Sequence, residues 1–283
     1  MKTYIIIPAY NEAEFIGQTL QSLVNQNVLP AKIVVVNDRS TDDTEKIINS
    51  FTQKYDFISL VNTTSTVKGH APGSKVITAF NQGLSTLDND FDIICKFDAD
   101  LIFPHDYLET IIAHFQKDSQ IGMAGGFCTI EKNQIWVPER LTGKDHIRGA
   151  LKAYRKECFN QIGKLKPHMG WDTVDELLAQ YHGWKIKTNE KLLVKHLKHT
   201  GASYNRKTGY MQGEAFYKLR YGLLISLIAS AKLAFLKKDL SLFKDYLWGY
   251  FKAQKEKRPF LVSKEEGRFI RNLRRKKMMG KLF

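Results

Sequence analysis

Short aliphatic runs alternate with stretches of helical periodicity over the first 120 residues. Tyr4 to Ile7 is an unbroken apolar run closed by Pro8, the pattern of a parallel strand buried on both faces. Phe15, Ile16, Leu20, Leu23 and Val24 then recur at helical spacing within Glu14 to Val24. Ile33 to Val36 repeats the strand pattern and runs into Asn37-Asp38-Arg39-Ser40-Thr41-Asp42, a cap-rich segment that predicts a helix from about Asp43. Further on, Ile58 to Val61 reads as a weaker strand and Ser74 to Leu84 as a helix stopped near Gly83. Ile93 to Phe97 reads as a strand and Pro104 to Phe115 as a helix. Past residue 120 the pattern is less regular: Trp171 to Gly183 predicts a helix, and Lys191 to His199 a strand followed by a loop.

Strands alternating with helices at this spacing predict an α/β fold with a mostly parallel central sheet flanked by helices. Such sheets bind ligands at the carboxyl ends of their strands. Three segments meet that rule, and each carries carboxylates just past a predicted strand: Pro8 to Glu12, Asn37 to Asp42, and Asp98 to Asp100.

A length of 283 residues suits one large domain, or one domain with an appendage. Hydrophobic residues make up 43% and charged residues 25%, which excludes wholesale disorder. Cys95, Cys128 and Cys158 form no CxxC pair, so a disulfide framework is excluded, no zinc site is evident, and a reducing compartment is expected. The apolar run after Met1 is too short for a signal-peptide core, so a cytoplasmic location is expected.

The formal net charge is +14. Residues 1–200 hold 23 basic and 23 acidic side chains, whereas residues 201–283 hold 20 basic and 6 acidic, so the whole excess lies in the C-terminal stretch. The chain therefore divides into a neutral body and a basic region. In the latter, Tyr221 to Ala231 is uncharged, too short to span a membrane, and reads either as a buried helix or as one lying in the membrane plane. Phe269, Ile270 and Leu273 share a helical face, with Arg268, Arg271, Arg274 and Arg275 largely opposite. A basic amphipathic helix of this kind suits an anionic membrane surface at the inner face of the cell membrane; a solvated terminal helix is the alternative. No nucleic-acid motif is present, and no nucleic-acid partner is expected.

Asp98 and Asp100, one residue apart at a strand end, can address one hard divalent cation, Mn2+ or Mg2+, together with a substrate phosphate. At this point the order of motifs becomes specific. PAYNE (Pro8 to Glu12), NDRSTDDT (Asn37 to Thr44), AFNQGL (Ala79 to Leu84), KFDAD (Lys96 to Asp100), YRKECFNQIG (Tyr154 to Gly163), GWDTVDE (Gly170 to Glu176) with GWKI (Gly183 to Ile186), and VKHLKHTG (Val194 to Gly201) follow one another along roughly residues 1–200. The chain resembles the inverting glycosyltransferases of family 2, which have the GT-A fold.

The resemblance implies a GT-A catalytic domain over 1–203, with a nucleotide-binding half at 1–100 and an acceptor-binding half at 101–203, followed by a basic helical region at 204–283. It implies transfer of a hexose from a nucleotide-diphosphate sugar, a UDP-sugar first among them, to a hydroxyl of a glycan or lipid-linked acceptor in cell-surface polysaccharide synthesis. Pro8, Ala9, Tyr10 and Glu12 would line the nucleotide pocket, Asp38 would bond the base, Lys75 would sit near the diphosphate and Asp98 near the ribose. Asp100 would ligate the metal, and His196 would complete the site. Asp172 would be the general base, with Asp175 or Glu176 as alternatives for that role. Trp171, Arg148 and Asp175 are candidates for the acceptor side, Trp171 by stacking on a sugar ring. One departure from the family is Phe80, where many members carry arginine.

Several of these residues also admit plain readings. Asp175 and Glu176 can be helix-start residues that complement the dipole, and Asp42 and Asp43 cap and first-turn residues. His70, His146 and His168 read as structural or acceptor-side, and His199 as a loop residue. Arg148 and Arg155 can hold a phosphate or form surface pairs. Trp136 and Trp184 can stack on sugar or fill core. A nucleotidyltransferase on a similar sheet would need a glycine- and lysine- or arginine-rich phosphate loop near the N-terminus, which PAYNE is not. A non-catalytic basic membrane- or nucleic-acid-binding protein would leave the ordered acidic strand ends unexplained.

Overall fold

In the computed structural model, which describes residues 1–63, 73–139, 143–198 and 206–279, four strands with following helices come first. β1 (Thr3–Ala9) leads to α1 (Ile16–Val24), β2 (Lys32–Asn37) to α2 (Thr44–Thr52), and β3 (Ile58–Asn62) to α3 (Ser74–Ser85). β4 (Ile93–Phe97) and the short β5 (Leu101–Ile102) precede α4 (Tyr107–Lys117). β6 (Ile121–Lys132) and β7 (Ile135–Pro138) form a hairpin, and β8 (Leu151–Arg155) leads into α5 (Lys156–Gln161). α6 (Trp171–Tyr181) precedes β9 (Lys185–His196), and four helices follow: α7 (Arg206–Lys218), α8 (Gly222–Leu236), α9 (Ser241–Lys255) and α10 (Lys264–Met279).

The strands build one nine-stranded sheet in the order β3-β2-β1-β4-β8-β6-β9-β5, with β7 on β6. The predicted parallel arrangement holds for β1 to β4. Beyond β4 the pairings mix: β8 runs antiparallel to β4 and to β6, β9 parallel to β6, and β5 antiparallel to β9. The hairpin explains part of this. Asn133 and Gln134 both have positive φ, 51° and 64°, the two-residue turn that matches strand twist and returns the chain antiparallel.

The aliphatic runs of β1, β2 and β4 are buried on both faces. α3 lies close over them at Gly83, where a Cβ would stand 2.6 Å from Val36 and 2.9 Å from Ile6, so this position of AFNQGL accepts no larger residue. Leu219, Tyr221, Ile225, Val262 and Ile270 join the same buried apolar cluster as β1, so the C-terminal helices pack on the body. α10 turns its apolar side inward: Ile270 is fully buried and Phe269 meets the Tyr181 ring of α6 at 5.6 Å. The face of α10 expected to meet a membrane is thus used inside the molecule, because α6 and α8 offer it a dry surface. The 203/204 boundary, His70 and His199 lie outside the described residues.

Candidate active site

β1 is flanked by β2 on one side and β4 on the other, so the connections leave in opposite directions from this point, where α/β sheets open a crevice. The β1–β4 ladder ends at Ile6 and Lys96, whereas β1 stays paired with β2 to Ala9 and Asn37. Pro8, which has no N–H to give, therefore costs the sheet no bond on the β4 side. A cleft of about 350 Å³ opens here, and its walls include Pro8, Ala9, Tyr10, Glu12, Asp38, Lys75, Asp98 and Asp100. Residues from four separate sequence motifs are brought together in it.

Loop chemistry fixes the walls. The β1–α1 and β2–α2 loops each hold one non-glycine residue at positive φ, Asn11 at 53° and Arg39 at 61°, and are bonded to each other. The Asn11 side-chain oxygen accepts from Thr41 N–H at 2.8 Å, and Thr44 Oγ1 accepts from Glu12 N–H at 2.7 Å. Asp42 accepts from Ala13 N–H at 3.1 Å and from the Thr44 hydroxyl at 2.5 Å, a loop-holding role. Asp43 stands at the N-cap of α2 without a side-chain cap bond. Asp38 accepts from Thr63 Oγ1 at 2.7 Å. In the Asp-Ala-Asp turn, Thr19 of α1 donates to Ala99 O at 2.7 Å and accepts from Leu101 N–H at 3.0 Å.

Asp100 and His196, 96 residues apart, are brought together by strand register. Leu101 of β5 pairs with His196 of β9, and His196 Nε2 lies 3.2 Å from Asp100 Oδ2. Glu139, just past β7, reaches within 3.9 Å of His196 Nδ1. Arg148 is ion-paired with Glu139, so its guanidinium serves the wall of the site. Cys128, Glu139 and His196 place ligand atoms within 4.8 Å of one another, but burial pushes the Cys128 thiol up to about 11. A protonated thiol is a poor partner for a hard cation. Asp100, whose carboxylate faces His196 Nε2, is the harder donor for Mn2+ or Mg2+; Glu139 stands at the other ring nitrogen, Nδ1, and is taken by Arg148.

Glu12 sits in the same field. Burial raises its pKa to about 7; Lys198, whose Nζ is 2.5 Å from its carboxylate, opposes the rise, and Asp100 and Asp98 reinforce it. A group whose folded value lies above its unfolded value, 4.5 here, binds more protons when folded, so stability declines as pH rises from about 4.5 to 7. Without added metal, the thermal midpoint is expected to be higher near pH 5.5 than near pH 8. Glu12→Gln should shrink the difference, and the same difference in that variant would refute the assignment.

The other side of the site is the start of α6. Asp172 lies in its first turn with a side chain about one-third exposed, and His146 Nε2 is 3.8 Å from Oδ2. Asp175 and Glu176, one turn on, are 3% and 6% exposed. Lys152 of β8 bonds Asp175 at 2.8 and 2.9 Å, Glu176 at 3.2 Å, and the Asp172 carbonyl. The Tyr154 hydroxyl donates to Asp175 at 2.6 Å, and Ile147 N–H to Glu176 at 2.8 Å. Burial pushes Asp175 up to about 6, against the pull of Lys152. Two carboxylates share one ammonium here, in a packed polar knot with no room for an acceptor. Asp175, a candidate for the acceptor side, is therefore a structural residue, and neither it nor Glu176 serves as a simple dipole complement. Trp171 is 7% exposed and packs against both lysines, its ring centroid 5.4 Å from Lys96 Nζ and 5.7 Å from Lys152 Nζ, which leaves little of it to stack on a sugar ring.

The model of the Glycosyl transferase family 2 matches residues 4–169. The chain belongs to glycosyltransferase family 2. The probable glycosyltransferase YdaM of Bacillus subtilis is 41% identical over 101 residues, 35% of this chain and 23% of that protein. The uncharacterized glycosyltransferase MG025 of Mycoplasma genitalium is 28% identical over 57% of this chain and 56% of its own length. The chain thus spans less than two thirds of these two relatives. Among solved structures, Staphylococcus aureus TarS 1-349 in complex with UDP-GlcNAc superposes with a TM-score of 0.58 at 16% identity, over 83% of this chain and 67% of that one. The mannosyltransferase PcManGT of Pyrobaculum calidifontis, in complex with GDP-Man and Mn2+, gives 0.56 at 18%, over 76% and 62%. These likenesses establish the GT-A fold.

Against the family pattern, Phe80 proves to be a core residue, fully buried and edge-on to Phe159 at 6.2 Å, so its side chain takes nothing from the cleft. Arg155 is spent on the carbonyls of Phe115 and Ile121. Trp184 donates to Gln161, Trp136 lies under Lys195 at 5.1 Å, and His168 faces Glu214 at 4.0 Å. Lys96, Lys152, Glu139, Lys198 and Thr19 shape the site without having stood out in the sequence. Only the two lysines left a signal: each is a charge inside a buried strand, and they sit directly opposite each other in the β4–β8 pairing.

Proposed function

We propose that this family 2 glycosyltransferase moves a sugar from a UDP-sugar to a hydroxyl of a glycan or lipid-linked saccharide, inverting the anomeric carbon. The observation that carries the proposal is the convergence in one cleft of the PAYNE loop, Asp38, Lys75 and the Asp-Ala-Asp turn, with His196 beside Asp100. UDP is favoured because TarS is solved with UDP-GlcNAc, and because Asp38, at the end of β2, matches the family's base-binding aspartate. A polysaccharide acceptor is supported by the poly(ribitol-phosphate) beta-glucosyltransferase of Bacillus spizizenii, 37% identical over 26% of this chain and 12% of that protein.

In this reading residues 1–100 bind the donor and residues 101–203 the acceptor. Pro8, Ala9, Tyr10 and Asp38 seat the nucleoside, with Asp98 at the ribose. Lys75, in the first turn of α3, directs its ammonium toward the diphosphate with the helix N-terminus behind it. Asp100 and His196, through its Nε2, would hold Mn2+ or Mg2+, which when bound neutralises charge on the departing diphosphate. The Asp172 carboxylate accepts the proton of the acceptor hydroxyl as that oxygen bonds to the anomeric carbon. The bond from that carbon to the diphosphate oxygen breaks on the opposite side, and UDP leaves with the electron pair. Lys96 joins the two halves: it is ion-paired with Asp98 and packs on Trp171, next to Asp172.

The test is release of nucleotide from a panel of UDP-sugars and GDP-mannose, with and without Mn2+. Metal-dependent release from a UDP-sugar is expected; release only from GDP-mannose would move the base preference, and none from any donor by folded protein would overturn the proposal.

A further inference from the structure

The C-terminal helices turn apolar residues outward. α8 buries Ser226, Ser230 and Ala234 completely, while Leu224, Ile228 and Phe235 are 62%, 43% and 79% exposed. Spaced four and seven apart, these three share one helical face. The connection to α9 continues the pattern, with Leu236 and Leu240 exposed around Lys237 and Lys238. On α9, Trp248 and Phe251 are exposed between exposed Lys244 and Lys252. Apart from Ile225, the residues α8 turns inward are small while large apolar ones face outward, the reverse of a water-facing helix, and exposed apolar area of this extent marks an interaction surface.

Charge indicates what covers it. Lys232, Lys237, Lys238, Lys244 and Lys252 are exposed around the apolar residues. Most acids of the region are used away from this face: Asp245 is buried, Glu214 is paired with Lys218, and Glu256 bonds Arg258 at 2.8 Å while only approaching Lys252, at 3.9 Å. Asp239, at the tip, accepts from both N–H and hydroxyl of Ser241. A second copy of the same face would set lysine against lysine, whereas an anionic surface complements it. No described helix is long and apolar enough to cross a membrane, and an in-plane seat needs only one apolar face.

We propose that the α8–α9 hairpin, led by residues 235–240, seats in the headgroup–acyl boundary of an anionic lipid bilayer, its apolar residues among the chains and its lysines on lipid phosphates. This moves the membrane contact from α10, whose apolar side is packed on α6, to the preceding hairpin.

Vesicle flotation of the full chain, without nucleotide or metal, tests the proposal. Flotation is expected with phosphatidylglycerol–phosphatidylcholine vesicles and far less with phosphatidylcholine alone. Lys237→Gln and Lys238→Gln should each weaken partition about fivefold, and the triple variant Phe235→Ser, Leu240→Ser, Trp248→Ser at least about tenfold, with an unchanged thermal midpoint because all three sites are exposed. Brominated lipid should quench Trp248, the most exposed of the four tryptophans, and that quenching should disappear in Trp248→Phe. No flotation on anionic vesicles, or undiminished flotation of the triple variant, would overturn the proposal. So would a lipid-free dimer that the triple variant dissolves. Flotation reads no sugar transfer, so it stands or falls separately from the catalytic reading.

Discussion

Asp172→Asn is expected to lower the rate of sugar transfer by about 10²- to 10⁴-fold while leaving donor binding intact. That range is the usual contribution of a positioned general base. Asparagine keeps the size and polarity of the side chain, and the groups that line the donor cleft lie elsewhere, so the binding constant for UDP with Mn2+ should change less than about twofold. The same substitution at Asp175 should behave differently. Asp175 is buried against Lys152 and Tyr154, so Asp175→Asn should act first on stability. Steady-state transfer kinetics beside a donor titration separate the two cases. Full activity in Asp172→Asn would require another base.

The second large effect concerns folding. Lys152 is fully buried and is the ammonium shared by Asp175 and Glu176. Lys152→Met keeps the length of the side chain but strands two carboxylates in the interior. Breaking a buried pair in this way costs about 3–5 kcal/mol, a fall in Tm of roughly 5–10 °C for a chain of this size. Because Lys152 also holds the Asp172 carbonyl, activity should fall even at temperatures where the variant is folded. Adding Asp175→Asn to Lys152→Met removes one stranded charge and should recover part of the lost stability in thermal denaturation. No recovery would show that the two groups are not coupled.

Much of this architecture is legible in the sequence because β1, β2 and β4 are buried on both faces, so unbroken aliphatic runs mark them with little error. β4 falls on Ile93 to Phe97 as read. The acids past β1, β2 and β4 are legible for the same reason: strand ends in one layer converge, whatever the spacing between them. The later strands are less legible. β9 begins at Lys185, well before the Lys191 expected, because its first half alternates polar residues on a partly exposed surface. The β6–β7 turn is Asn133-Gln134, without the glycine that signals such hairpins. Glu139 and Lys198 act through tertiary contacts across the site, and no local pattern records them. The amphipathic signature of α10 was real, but it described packing on α6; helix periodicity shows that a face will be covered and is silent about the partner.

The central claim is that a UDP-sugar and a divalent cation meet at Asp100. The most direct measurement is a calorimetric titration of UDP into the metal-free protein and into protein with Mn2+, for the unaltered chain and for Asp100→Ala, whose fold is checked by circular dichroism. The account predicts binding that tightens at least about tenfold with Mn2+ and loses that gain in Asp100→Ala. UDP affinity indifferent both to Mn2+ and to the loss of the Asp100 carboxylate would contradict it.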